Sequence, residues 1–357
     1  MHDSAGVCVV LLNWNGWRDT VECLESVLRS DYPNFRVVVC DNASSDGSLE
    51  RIKAWADGTL AAGAATPAFD RLRGTALARP LRYIELDRAA AERDRAETGA
   101  DADSETAALT LIATGANLGF AGGNNVGLRH ALADPRNEYF WLLNNDTVIE
   151  ADALRRLVEH LRADPGAGIC GSTLRHYYAP QRVQALGGSS YRALRCRAMP
   201  VGADQPAAAA IDGAAVERQL AYVNGASMML SRSFLRDVGL MAEDYFLYYE
   251  EFDWARRAAG RYRLAYAPLS VVYHKEGGSI GTAGRGKISA VALYYLQRNR
   301  IKFMRRFYAA RLPLLYLNML LEMARALLRR DFFEIKWSLI AMLGLPPSGL
   351  NHQKRAP

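Results

Sequence analysis

The sequence predicts an α/β fold built on a mostly parallel, Rossmann-like central sheet flanked by helices. Three observations carry this expectation. Short apolar runs alternate with helical-period segments several times in the first 165 residues, the order that crossover helices between parallel strands produce. The runs are β-branched and continuously apolar, as strands covered on both faces are. Polar clusters follow directly after the runs, at the carboxyl ends of strands where such sheets bind ligands.

In order, VCVVLL (7–12) reads as a buried strand bounded by NWNG. TVECLESVLRS follows, with Val21, Leu24, Val27 and Leu28 at helical spacing. FRVVVC (35–40) is a second buried strand, ending at Asp41 in DNASSDGS, and a helix starts near Ser48. From about 54 to 106 the pattern loosens into Ala, Arg, Asp and Gly, which reads as a variable insertion or an extra exposed helix. Within it, LRYIEL (81–86) has the character of a short strand. TLIAT (110–114) resumes the strand pattern and NLGFAGGNNVG (117–127) reads as a loop leading into the helix VGLRHAL. YFWLL (139–143) is another buried strand running into NNDT, and ADALRRLVEHLRADP is an amphipathic helix.

The 357 residues suffice for one large core with an appendage, and a net charge of +6 suits an anionic partner such as a nucleotide or a phospholipid. Five cysteines lack metal-ligand spacing, and Cys8 and Cys40 sit in apolar runs; core thiols and a reducing cytoplasm are expected. No signal peptide is expected at the N-terminus. The runs Leu312–Leu321 and Trp337–Leu345 are too short to span a bilayer.

Asp41 can accept hydrogen bonds from a nucleobase or ribose, while Asp46, just before a helix, suits a cap. Asn13, Asn15, Asn42 and Asn117 can donate and accept at the same sheet edge. Asp146, after YFWLL, and His274, after the apolar run in VVYHKEGGS, pair a carboxylate with an imidazole, a donor set that suits Mn2+. LYYEEFDWARR supplies Glu250, Glu251 and Asp253, either as charges at a helix N-terminus or with one of them a general base. GTAGRGKI (281–288) departs from a phosphate loop, because Ile288 stands where the hydroxyl is required.

Taken in order, NWNG, DNASSDGS, NLGFAGGNNVG, LLNNDT, YVNGASMML, YYEEFDWARR and VYHKEGGS resemble glycosyltransferase family 2, within it the bacterial rhamnosyltransferase-like branch, over roughly 6–310. The resemblance implies a GT-A fold over 1–285 with a helical, basic and apolar C-terminal extension over 286–357. It implies a single-displacement, inverting transfer of one sugar, rhamnose being the branch expectation, from a dTDP- or UDP-sugar, with Mn2+ or Mg2+. Asp41 matches the family's nucleobase contact. Asn13, Asn15, Asn117, Gly119 and Asn145 fall in nucleotide-contacting motifs, and Asn224, Gly225 and Ala226 in the segment lining the donor sugar. Asp146 and His274 match metal ligands, with Asn144 where many relatives carry a carboxylate. Glu251 stands at the position of the catalytic base, usually Asp, and Asp253 is a second candidate.

Residues 294–311 carry six basic residues and no acid among aromatics, and with LPLLYLNMLLEMARALLRR behind them read as helices lying on an anionic bilayer. A solvated basic helix or a homodimer interface is the alternative. A glycan or lipid-linked glycan acceptor on the inner face of the cytoplasmic membrane would reconcile enzyme and surface. The clustering of basic residues in an apolar tail argues against nucleic acid. A catalytically silent nucleotide-sugar-binding subunit and a sugar nucleotidylyltransferase are the competing functions.

Overall fold

The computed structural model describes residues 4–61, 69, 72, 77–93, 107–192, 196–276 and 288–347. The first half runs β1 (Gly6–Asn13), α1 (Trp17–Val27), β2 (Phe35–Asp41), α2 (Ser48–Ala56), β3 (Tyr83–Asp87), α3 (Arg88–Ala91), β4 (Leu109–Ala113), α4 (Gly119–Leu132) and β5 (Asn137–Asn144). A short β6 (Thr147–Ile149), α5 (Ala153–Ala163) and the long β7 (Ala167–His176) follow. Next come β8 (Ala179–Leu186), β9 (Gly188–Arg192), β10 (Arg197–Pro200), α6 (Gly213–Glu217), β11 (Tyr222–Val223) and β12 (Ser227–Ser231). The chain closes with α7 (Arg232–Val238), α8 (Glu250–Ala258), β13 (Arg263–His274), α9 (Ala290–Phe307), α10 (Leu312–Leu328) and α11 (Phe332–Met342).

The described strands form a ten-stranded sheet in the order β3-β4-β2-β1-β5-β12-β7-β13-β6, with β8 paired to β7, and a three-stranded sheet β10-β9-β11. Strands β1 to β5 are mutually parallel, as expected; β12 enters antiparallel between β5 and β7. The continuous apolar runs have a direct cause. Val7, Val9, Leu11, Val37 and Val39 pack on one face against Val21, Leu24, Ile52 and Trp55, while Cys8, Val10, Val38 and Cys40 pack on the other against Val126, Leu128, Phe234 and Trp254. Neither face meets water, so neither alternates. The strand expected at 81–86 is β3, shifted by two residues at its start, and it forms one edge of the sheet. Much of the remaining 54–106 segment, and the 281–287 part of GTAGRGKI, lies outside the described residues.

The loop expected at NLGFAGGNNVG is corrected: helix α4 begins already at Gly119. Glycine is poor for a helix in isolation, costing roughly 1 kcal/mol against Ala. Here it permits close helix-on-sheet packing. A Cβ on Gly127 would come to 2.6 Å from Val10 Cγ1 and 2.9 Å from Cys40 Sγ, and one on Gly123 would collide with Leu12. Tertiary packing overrides local propensity.

Of the two stretches expected to lie on a membrane, the first is packed against the protein. Helix α9 is largely buried through Tyr294, Asn299, Arg300, Ile301, Phe303 and Met304. Its charges are partly taken up by the protein: the buried Arg300 forms a bidentate pair with Glu322 of α10 at 2.8 and 3.2 Å, and nearer the surface Arg306 and Lys302 meet Asp244 at 2.8 and 2.6 Å. No helix among the described residues is long and apolar enough to cross a membrane. All five cysteines are buried.

Candidate active site

The carboxyl ends of β1, β2 and β5 bring Asn13, Asp41 and Asn144–Asp146 together, because the three strands are parallel and in near register: Asn13 lies opposite Asp41, and Leu12 opposite Asn144. Asp41 is a node here. Its Oδ1 accepts from Asn13 Nδ2 and Ser44 Oγ, both at 2.6 Å, and its Oδ2 accepts from the Ser44 amide at 3.0 Å. Asn13 is fully consumed within the protein, since its Nδ2 also reaches Ser44 Oγ and its Oδ1 accepts from Thr20 at 2.8 Å. Expected as a nucleotide contact, Asn13 instead orients Asp41, with no exposed surface of its own. Asn145 likewise turns inward, donating to Thr20 Oγ1 at 2.9 Å and so tying the β5–β6 turn to α1. Asn15, at a positive φ of 50°, accepts the Ser45 amide at 2.7 Å and shapes the turn beside Asp41. Asp46 accepts the Ser48 amide at 3.0 Å in an Asx turn just ahead of α2, whose N-cap residue is Gly47.

At the start of α4, where Asn117 and Gly119 were expected to contact a nucleotide, the side-chain and backbone amides have partners within the protein. Asn117 Oδ1 accepts from Gly119 at 3.1 Å and from Asn42 Nδ2 at 3.0 Å; Asn42 Oδ1 accepts from Leu118. Phe120 donates to the Phe246 carbonyl at 2.7 Å. Gly119 has φ +72°, and a Cβ there would strike Phe246. Gly119 is required for the close passage of the 246 loop, and Asn117 and Asn42 clasp β2 to α4.

Asp146 and His274 are brought together by the antiparallel pairing of β6 with β13, which sets His274 opposite Thr147. His274 Nε2 stands 3.2 Å from Asp146 Oδ1. On the far side of the ring, His274 Nδ1 lies 2.9 Å from Gln184 Oε1 of β8. The amide oxygen can only accept, so Nδ1 carries a proton, and Nε2 faces the carboxylate either as an N–H donor or, with a cation between them, as a lone pair. Burial alone would depress the imidazole pKa, but the adjacent Asp146 carboxylate outweighs it and the pKa is raised. A lone pair and a carboxylate oxygen facing each other need a proton or a cation between them, so these two residues fit a divalent ion. No group of three or more His, Cys, Asp or Glu side chains suited to a metal occurs among the described residues, so an ion held by this pair would need ligands from outside the protein.

The next residue, Lys275, donates its amide to the Asp146 carbonyl at 3.0 Å and its ammonium to Asp19 at 2.7 Å and to Glu22. These contacts fasten α1 to the strand end beside the pair.

The acidic motif separates into three environments. Glu250 is buried at 1% exposure, and its Oε2 has no hydrogen-bond partner; burial and the neighbouring Glu251 push its pKa well up. Asp253 has no exposure and is saturated: Arg257 Nε at 2.8 Å, Arg306 at 2.6 Å and Tyr245 Oη at 3.0 Å. Glu251 alone keeps partial exposure. Burial raises its pKa to about 7, tempered by hydrogen bonds from its own amide and the Gly225 amide.

Gly225 leaves no room for a side chain, because a Cβ there would run into Glu251 Oε1. The same turn reaches the other half of the site: the Asn144 amide donates to the Ala226 carbonyl at 3.0 Å, and Asn224 Oδ1 accepts the Ala226 amide at 2.9 Å. Ala226, expected on the donor-sugar wall, belongs to the core at 2% exposure. A continuous set of hydrogen bonds therefore links Glu251, the 224–226 turn and the strand end carrying Asp146. Asn299 of α9 completes the support, donating to the carbonyls of Tyr245 and Leu247, both at 2.7 Å. It braces a loop whose Phe246, Tyr248 and Tyr249 have positive φ, a conformation that costs of order 1–3 kcal/mol per residue.

Gln184, Lys275 and Asn299 were missed by sequence reasoning. Gln184 left a faint signal, a glutamine inside the otherwise apolar end of β8; Asn299 left none, lying in a helix read as peripheral.

Fold and site together define an α/β protein with an Asp–His pair at the carboxyl ends of its parallel strands and a separate, mostly buried carboxylate at the start of α8. The family model of glycosyl transferase family 2 matches residues 8–63 and 94–210. It is similar to a low-salt glycan biosynthesis hexosyltransferase of Haloferax volcanii, at 26% identity over 151 residues, 42% of this chain and 46% of that protein. The chain thus matches under half the length of that curated relative. Among solved structures it is similar to a mannosyltransferase from Pyrobaculum calidifontis in complex with GDP-Man and Mn2+, at 17% identity and TM-score 0.48, covering 98% of this chain and 77% of that one. It is also similar to S. aureus TarS in complex with UDP-GlcNAc, at 14% identity and TM-score 0.45, covering 83% and 66%.

Proposed function

We propose that this protein is a hexosyltransferase that moves one sugar from a nucleoside diphosphate sugar to a glycan hydroxyl with inversion. The observation that carries the reading is the linkage of Glu251, through the 224–226 turn, to the strand end holding Asp146 and His274. Glu251 takes the proton of the acceptor hydroxyl; that oxygen bonds to the anomeric carbon from the face opposite the leaving group, and the carbon–oxygen bond to the diphosphate breaks. A carboxylate whose pKa lies near 7 is matched to this task. Asp253, tied to two arginines and a tyrosine, positions α8 and is not the base. Asp146 and His274 would hold Mn2+ or Mg2+, which when bound offsets the charge of the departing diphosphate. Asp41, fixed by Asn13 and Ser44, would accept from the nucleobase. The branch-level resemblance makes rhamnose, carried on dTDP or UDP, the expected sugar.

The test is nucleoside diphosphate release and product formation from a panel of dTDP-, UDP- and GDP-sugars with Mn2+ or Mg2+ and a series of glycan acceptors. Inverted glycoside from one donor is expected. Saturable donor binding with no product from any pair would instead favour a catalytically silent binding subunit.

A further inference from the structure

Helices α10 and α11 are apolar on both sides. On α10, Leu315, Met319 and Ala326 face the protein, while Leu317, Leu320, Leu321 and Leu328, spaced three, four and seven residues apart, form a stripe turned outward. On α11, Trp337, Ser338 and Ala341 are buried, and Phe332, Leu339 and Leu343 face out. The two stripes join at the corner Leu327-Leu328-Arg329-Arg330-Asp331-Phe332-Phe333, where Leu328 is 86% and Phe332 65% exposed. Single exposed apolar residues are ordinary; a contiguous bared stripe on two successive helices marks a surface that is covered.

The charges say by what. The acids of these helices are consumed internally: Glu322 pairs with Arg300 at 2.8 Å, Glu334 with Arg329 at 2.8 Å, and Asp331 caps α11 through the Glu334 amide at 3.0 Å. The exposed charges left bordering the stripe, Arg311, Arg325, Arg330 and Lys336, are all positive. A 17-residue α10 is about 25 Å long, short of the roughly 30 Å hydrocarbon core, so it lies along an interface and does not cross it.

We infer that α10 and α11 dock this protein on an anionic lipid bilayer, with the Leu327–Phe333 corner entering the headgroup region and the flanking basic residues meeting lipid phosphates. The inference does not rest on sugar transfer. It places the enzyme where an acceptor carried on a lipid would be presented.

The full chain is sedimented with vesicles of phosphatidylcholine alone and of phosphatidylcholine mixed equally with phosphatidylglycerol. Binding to the anionic vesicles, weakening as salt rises, is expected. The double variant L328S/F332S should lose at least about tenfold in partitioning. R325E/R330E should remove the preference for anionic vesicles, roughly fivefold or more. Far-UV circular dichroism and donor-nucleotide binding of both variants should match the parent, separating loss of docking from misfolding. Two results would overturn the inference: no binding of the parent to either vesicle, or a dimer in solution that L328S/F332S dissociates, which would make a second copy the occupant.

Discussion

The amide of Gly225 donates to the Glu251 carboxylate, and the absence of a side chain at Gly225 is what lets that carboxylate sit there. Gly225→Ala should push the acid from its seat. Since a displacement of about 1 Å can cost roughly a hundredfold in rate, kcat should fall by one to two orders of magnitude while donor affinity is kept. Steady-state kinetics beside calorimetric donor binding would show the split; an equal loss of both would mean Gly225 serves the donor pocket.

Glu251→Gln preserves shape and hydrogen-bonding capacity but cannot accept the proton. Transfer should drop by roughly 10²–10⁴-fold with donor binding intact. Near-parental turnover would assign the base elsewhere.

With Glu251 titrating at about 7, kcat/KM should climb about tenfold per pH unit below that value and flatten above it. Stability moves the other way. The folded pKa exceeds the ordinary 4.5, so the native state binds more protons between 4.5 and about 7, and this contribution to stability is lost as pH rises through that window. Glu251→Gln should abolish both trends, visible as a flat rate profile at its residual activity and a smaller loss of Tm with rising pH.

Gln184 fixes the tautomer that turns His274 Nε2 toward Asp146. Gln184→Leu should weaken Mn2+ binding about 10–100-fold, and His274→Ala at least as much. Electron paramagnetic titration of free Mn2+ reads this without any turnover. An unchanged titration in His274→Ala would remove it from the ligand set.

Gly127→Ala tests the packing reading of α4. Helix propensity alone would favour alanine by about 1 kcal/mol. Overlap with Val10 and Cys40 should reverse the sign and destabilise by about 1–3 kcal/mol, read from urea unfolding.

What the sequence determined by itself was the layer order and the edge where chemistry gathers. Continuous β-branched runs such as VCVVLL and FRVVVC can only be strands buried on both faces, and a parallel sheet puts the polar ends of its strands on one side. Asp41, Asp146 and His274 were legible for that reason. The tertiary structure decided what pairwise geometry alone can decide. Glu250, Glu251 and Asp253 are equivalent acids in sequence, yet an orphaned burial, a glycine amide and two guanidinium groups give them three different states. The glycines of α4 looked like a loop because propensity is local, whereas the demand for them comes from Val10, Leu12 and Cys40, over 80 residues away. Likewise α9 and α10 read alike as basic and apolar. Only the partners of Arg300 and Arg306 show that α9 ties two of its guanidinium groups to buried or half-buried acids while α10 and α11 leave their leucines bare.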